Sequence, residues 1–137
     1  YTGKMMGETV AQSICGNRTT YKPGVWFNSA KFFDLEYQTY GRVSSKAEED
    51  EVHFYWQANE QEKCLKFAFH KQNRTFLGIN AFGIRIKHEV MNSWIKNQET
   101  IDAVIQQLAL ANFDPEFYPK HEKEVQEAYQ KFKAERN

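Results

Sequence analysis

Residues capable of chemistry are plentiful in this chain, but their spacing builds no familiar reaction centre. His53, His70, His88 and His121 stand far apart, in no HxH or HExxH arrangement. A metal site needs three or four ligands converging at bond distance, so these read as surface or hydrogen-bonded histidines. The acidic run "AEEDE" at 47–51 lacks the spaced ligands and glycine bend of a calcium loop and reads as a solvated turn. Cys15 and Cys64 are the only thiols, in no CxxC pair, which leaves a disulfide framework, a zinc ribbon and a dithiol redox centre without support. No serine lies in a GxSxG setting, and neither GxGxxG nor GxxxxGK[ST] occurs. Asn17 and Asn73 each begin an Asn-Arg-Thr triplet, the glycosylation acceptor pattern, which means little where no secretory signal is visible.

Two stretches hold more. "YTGKMMGETVAQSICG", residues 1–16, places Gly3, Lys4, Met5 and Met6 at the start of a helix. A helix N-terminus offers unsatisfied N–H groups and about half a positive charge, and small residues there let an electron-rich group approach the backbone. The same spacing also fits a plain amphipathic helix whose Met6, Val10 and Ile14 are core. "WFNSAKFFDLEYQTYG", residues 26–41, mixes aromatic rings with amides and charges. Trp26, Phe27 and Asn28 can stack on a flat ligand and bond its edge, or they can anchor packing.

The elements that must position these residues follow from periodicity. Residues 4–15 carry the apolar stripe Met6, Val10, Ile14 at helical spacing, with Gly16 as a stop. From Phe33 the period is 2. Phe33, Leu35, Tyr37 and Thr39 lie on one side of a first strand ending at Gly41. Val52, Phe54, Trp56 and Ala58 mark a second strand, Leu65, Phe67 and Phe69 a third, and "TFLGINAFG" a shorter fourth. Short turns between them predict an antiparallel meander with one wet face. Helical spacing returns over 84–96. Thr100 is placed to cap a helix over 100–111, and Pro119 to open the last one, over 119–135. The expected fold is α+β: a sheet over 30–83 of about four strands, then covering helices over 84–135, with 1–24 a separate helix and linker before a domain at 25–137.

Composition bounds the function. The 137 residues carry 18 Lys and Arg against 18 Asp and Glu, so nothing draws the chain to phosphate backbones and no nucleic-acid role is expected. No apolar run approaches the roughly 20 residues that span a bilayer, and no signal peptide opens the chain. Two free thiols suit a reducing cytoplasm. With Tyr1 in first place, the chain reads as a piece cut from something longer.

In two places the sequence resembles a family. Gly7, Ala11, Ile14 and Gly16 hold a pattern close to G-x-x-x-A-x-x-I-x-G, similar to the last helix of the FAD-binding domain in pyridine-nucleotide-dependent flavoprotein oxidoreductases. Phe27, Ser29, Phe33, Asp34, Gln38 and Gly41 resemble the segment entering that family's C-terminal interface domain; Ala30 and Lys31 stand where the family has Asp and Gln. "FLGINAFG" looks like its final sheet strand. The resemblance covers most of residues 1–96 and implies an enzyme in which NADH or NADPH reduces FAD and electrons pass to an acceptor. It implies flavin contacts from Gly3, Lys4, Met5 and Met6, a cavity wall from Trp26, Phe27 and Asn28, and packing on the FAD- and NAD(P)-binding domains of the same chain or on a second subunit. Alone, the piece is expected to be catalytically incomplete and free of FAD. A reading from another class stays open: a stand-alone α+β module that binds a small molecule or a protein.

Overall fold

The alternating segments form five strands: β1 (Phe27–Phe32), β2 (Leu35–Gly41), β3 (Glu51–Gln57), β4 (Cys64–His70) and β5 (Phe76–Phe82). They pair antiparallel in the order β1-β2-β5-β4-β3. The computed structural model describes residues 2–59, 62–114, 116 and 118–136. The fold is α+β, as the run of strands followed by helices requires.

β3, β4 and β5 make the expected meander. The sheet has one strand more than expected, and β5 returns to pair with β2. The connection over 42–50 therefore carries the chain past two strands to the far edge. Lys66 in β4 donates from Nζ to the carbonyls of Ser44 (2.8 Å) and Ser45 (3.1 Å), fastening that connection to the sheet.

The extra strand comes from dividing one stretch in two. The chain reverses between Phe32 and Leu35, with Phe33 at φ 53. The side expected to carry the apolar residues is not the buried one. Phe33 is 96% exposed and Leu35 40%, because the hairpin tip projects from the body. Gln38 and Tyr40 face the core instead. Burying Gln38 is tolerable because its Oε1 accepts from the Ile86 amide at 2.6 Å, so neither group is left unsatisfied.

One sheet face is covered by α2 (His88–Lys96), α3 (Ile101–Gln106), a 3-10 turn (Leu108–Ala111) and α4 (Glu122–Ala134). α2 and α4 start later than their spacing predicts, at His88 and Glu122, and Pro119 precedes the last helix without opening it. Thr100 caps α3 as expected, its Oγ1 accepting from the Ala103 amide at 3.3 Å. Phe54, Phe67, Phe69 and Ile79 meet Met91, Ile101, Val104, Val125 and Tyr129 in a single core. Each such side chain contributes roughly 1.5–3 kcal/mol by leaving water. Gly78 lets β2 and β5 close up: a Cβ there would press on the Tyr40 carbonyl and lie 2.7 Å from the Arg42 amide.

α1 (Thr2–Ile14) stands ahead of this body and has no buried residue. Gly16, at φ 91, turns the chain out of it.

Candidate functional site

α1 is a helix of 13 residues whose apolar stripe has no cover within the described residues. Met6 is 53% exposed, Val10 55% and Ile14 80%. Within the described residues α1 is therefore no part of the core. The first four N–H groups of a helix lack an internal acceptor. With the helix starting at Thr2, two residues earlier than its spacing suggests, those groups belong to the first turn. Gly3, Lys4 and Met5 are in it, and Met6 begins the next. A Cβ added at Gly3 or Gly7 would meet nothing within 4 Å. Neither glycine is required by a contact with a described residue, and both leave the helix surface open to approach. Lys4 and Glu8 form an exposed i, i+4 pair at 3.7 Å.

The second group of expected site residues diverges. Trp26 is 55% exposed at the entry to β1, and its carbonyl accepts from the Gly41 amide at 2.8 Å. Phe27 turns to the helix side, with its ring 4.4 Å from that of His88 and stacked on Tyr40 at 6.4 Å. Asn28 is exposed and donates from Nδ2 to the Tyr37 hydroxyl at 3.2 Å. Alternation along the strand sends Phe27 and Asn28 to opposite faces, so the two do not meet on one ligand. Burial pushes the Tyr40 hydroxyl's pKa up, with the charges of Glu89 and Glu36 adding to it.

A cavity of about 570 Å³ lies at the end of the sheet beside α4. One wall carries Arg74 and Lys133, which meet on Asp102 behind it. Arg74 Nε donates to Asp102 Oδ2 at 2.6 Å, and Lys133 Nζ to Asp102 Oδ1 at 2.7 Å. Arg74 also donates to the Tyr129 hydroxyl and lies over the Phe69 ring at 5.2 Å. Burial would raise the Asp102 pKa, but the bonds from Arg74 and Lys133 outweigh it and hold the carboxyl below its ordinary value. Tyr129 is pushed up to about 12, mainly by burial. Lys71 and Arg136 complete the rim, Arg136 lying over the Phe132 ring at 4.8 Å.

Sequence reasoning missed this cavity because its charged residues come from two distant segments. The only signals were Lys71-x-x-Arg74 and Lys133-x-x-Arg136, the first in a turn and the second straddling the end of α4, with Arg136 two residues past Ala134. The histidines are dispersed. His53 lies by Glu51 (3.5 Å), His70 by Asp50 (3.4 Å) and His121 by Glu124 (3.8 Å). Burial and the nearby Lys66 charge lower the His53 pKa. Among the described residues, no three His, Cys, Asp or Glu side chains group as metal ligands. No helix there is long and apolar enough to cross a membrane. No protein-family model matches the sequence, and no curated protein matches it.

Proposed function

We propose that the chain is the C-terminal part of an FAD-dependent NAD(P)H oxidoreductase, in which α1 closes the flavin site and the α+β body packs on the neighbouring domains or on a second subunit. One observation carries this reading: a helix with an apolar stripe stands outside the core formed by the described residues. An isolated helix of this length is marginal in water, so a neighbour that covers Met6, Val10 and Ile14 supplies the missing stabilisation. The open glycines of its first turns and the resemblance of Gly7, Ala11, Ile14 and Gly16 to the family's last FAD-domain helix agree on what that neighbour is.

Bound FAD would accept a hydride from the nicotinamide and pass electrons on. The residues of this chain have a narrower task. The first-turn amides of Gly3, Lys4 and Met5 face outward toward an electron-rich group, and the helix end stabilises negative charge there by about 0.3–1 kcal/mol, or up to ~2 when partly buried. Trp26, half-exposed ahead of β1, would wall the flavin site formed with the neighbouring domain; Phe27 supports it from the core side rather than touching a ligand. Asn28 contributes only on the opposite sheet face.

The test compares two purified proteins: the 137-residue chain and the product of the complete reading frame. The longer product is expected to oxidise NADH or NADPH in the presence of an electron acceptor. The chain by itself is expected to do neither that nor bind FAD. A complete reading frame that encodes this chain and no upstream domain would overturn the proposal.

A further inference from the structure

The cavity beside α4 supports an inference that goes beyond the flavin reading and stands without it. Four cationic side chains reach its wall from two segments, Lys71 and Arg74 from the β4–β5 turn and Lys133 and Arg136 from the last turn of α4 and just past it. Against them stand Glu49 and Glu51 in the wall and Asp102 behind it. Glu51 has a fully buried side chain and is held at 2.7 Å by Arg42, so its charge is already offset. Asp102 is shared by Arg74 and Lys133. Among the lining side chains, four positive charges stand against Glu49 and Glu51, an excess of two at this concavity, in a chain whose formal net charge is zero.

The four cations differ in readiness. Arg74 is fixed on three sides, by Asp102, by Tyr129 and by the Phe69 ring. Lys133 is fixed by Asp102 and lies 5.9 Å from the Tyr129 ring centre. Fixed donors bind without first losing side-chain freedom. Lys71 and Arg136 are exposed and make no ion pair with a described residue, so they can turn inward to an incoming anion. Val52, Phe69 and Phe132 give the same cavity apolar surface. Its volume, about 570 Å³, falls within the usual range for small-molecule sites and exceeds what inorganic phosphate fills.

We propose that this cavity binds a small phosphomonoester, its dianionic phosphate held by Lys71, Arg74, Lys133 and Arg136 and its organic body against the half-buried Val52 and Phe132. A dianion matches the excess of two charges; a carboxylate supplies half of it. Arg and Lys together suit phosphate because the guanidinium forks bind two oxygens and the ammonium adds charge.

The test is an NMR titration of the folded 137-residue chain near pH 7.5 with phenyl phosphate, benzoate and inorganic phosphate, each against sodium chloride at matched ionic strength. Phenyl phosphate should saturate, with shifts centred on the amides of Lys71–Arg74 and Phe132–Arg136. It should bind about tenfold more tightly than benzoate and more tightly than inorganic phosphate. The double variant Lys71→Gln/Arg136→Gln, altered only at exposed positions, should keep a dispersed spectrum and bind at least about tenfold more weakly. Shifts matching those of chloride, benzoate binding as tightly, or a double variant within twofold of the parent would each overturn the proposal. The FAD content of the longer protein bears on none of these outcomes.

Discussion

Asp102 joins three elements: it sits in the first turn of α3, bonds Arg74 in the β4–β5 turn and bonds Lys133 on α4. Its carboxyl and both partners are about a third exposed, so solvent screens the cluster. Asp102→Asn is expected to cost about 1–2 kcal/mol in urea denaturation. The pH dependence has a definite sign. The folded pKa lies below the ordinary value of 3.8, so the ionised carboxylate stabilises the fold above that value. The gap between wild type and Asp102→Asn should be constant above about pH 5 and close as the pH falls below about 4, through the depressed folded pKa. A gap that persists in acid would show that the carboxylate charge is not the cause. Gln38 gives a second test. Gln38→Leu leaves the buried Ile86 amide without its acceptor and should cost about 1–3 kcal/mol, although it adds apolar surface to the core. A neutral or stabilising result in thermal melts would contradict the role given to that bond.

At the scale of elements, the sheet depends on close approach of β2 and β5. Gly78→Ala drives a methyl group into the Tyr40 carbonyl and Arg42 amide and should destabilise the chain by about 1–3 kcal/mol or more, read by chemical denaturation. α1 should behave in the opposite way. Because it buries nothing, a chain of residues 17–137 should keep its stability within about 0.5 kcal/mol of the parent. A loss above that would place α1 in the core after all. The contrast marks what the sequence could reveal. β3, β4 and β5 were legible because Val52, Phe54 and Trp56, then Leu65, Phe67 and Phe69, alternate cleanly and one face is fully covered. β1 was hidden because "FNSAKF" alternates poorly: none of its six residues is fully buried, so no strict apolar face is required of it. The Phe33–Asp34 reversal was hidden because no glycine marks it. Phe33 reads as the start of the first strand, yet it sits between β1 and β2 at a projecting tip. The helices were found by period, while the starts of α2 and α4 were not. The candidate site divides likewise: the α1 pattern was visible in local spacing, whereas the basic cavity needs residues 71–74 and 133–136 brought together by the fold.

Over the whole molecule, the body from β1 to α4 has its own core, while α1 and the exposed Trp26 lie outside it. That division motivates the proposed flavoprotein reading: an α+β body with its own core, preceded by a helix whose apolar stripe no described residue covers. Amide hydrogen exchange should display the same division, with α1 exchanging at nearly unprotected rates in the 137-residue chain and becoming protected in the complete gene product. Equal exchange of α1 in both proteins would mean that the longer protein does not cover it. The most direct measurement is the amount of FAD released when the complete gene product is purified and denatured. The account predicts about one FAD per chain; a complete product that carries none and binds none when FAD is added would contradict it.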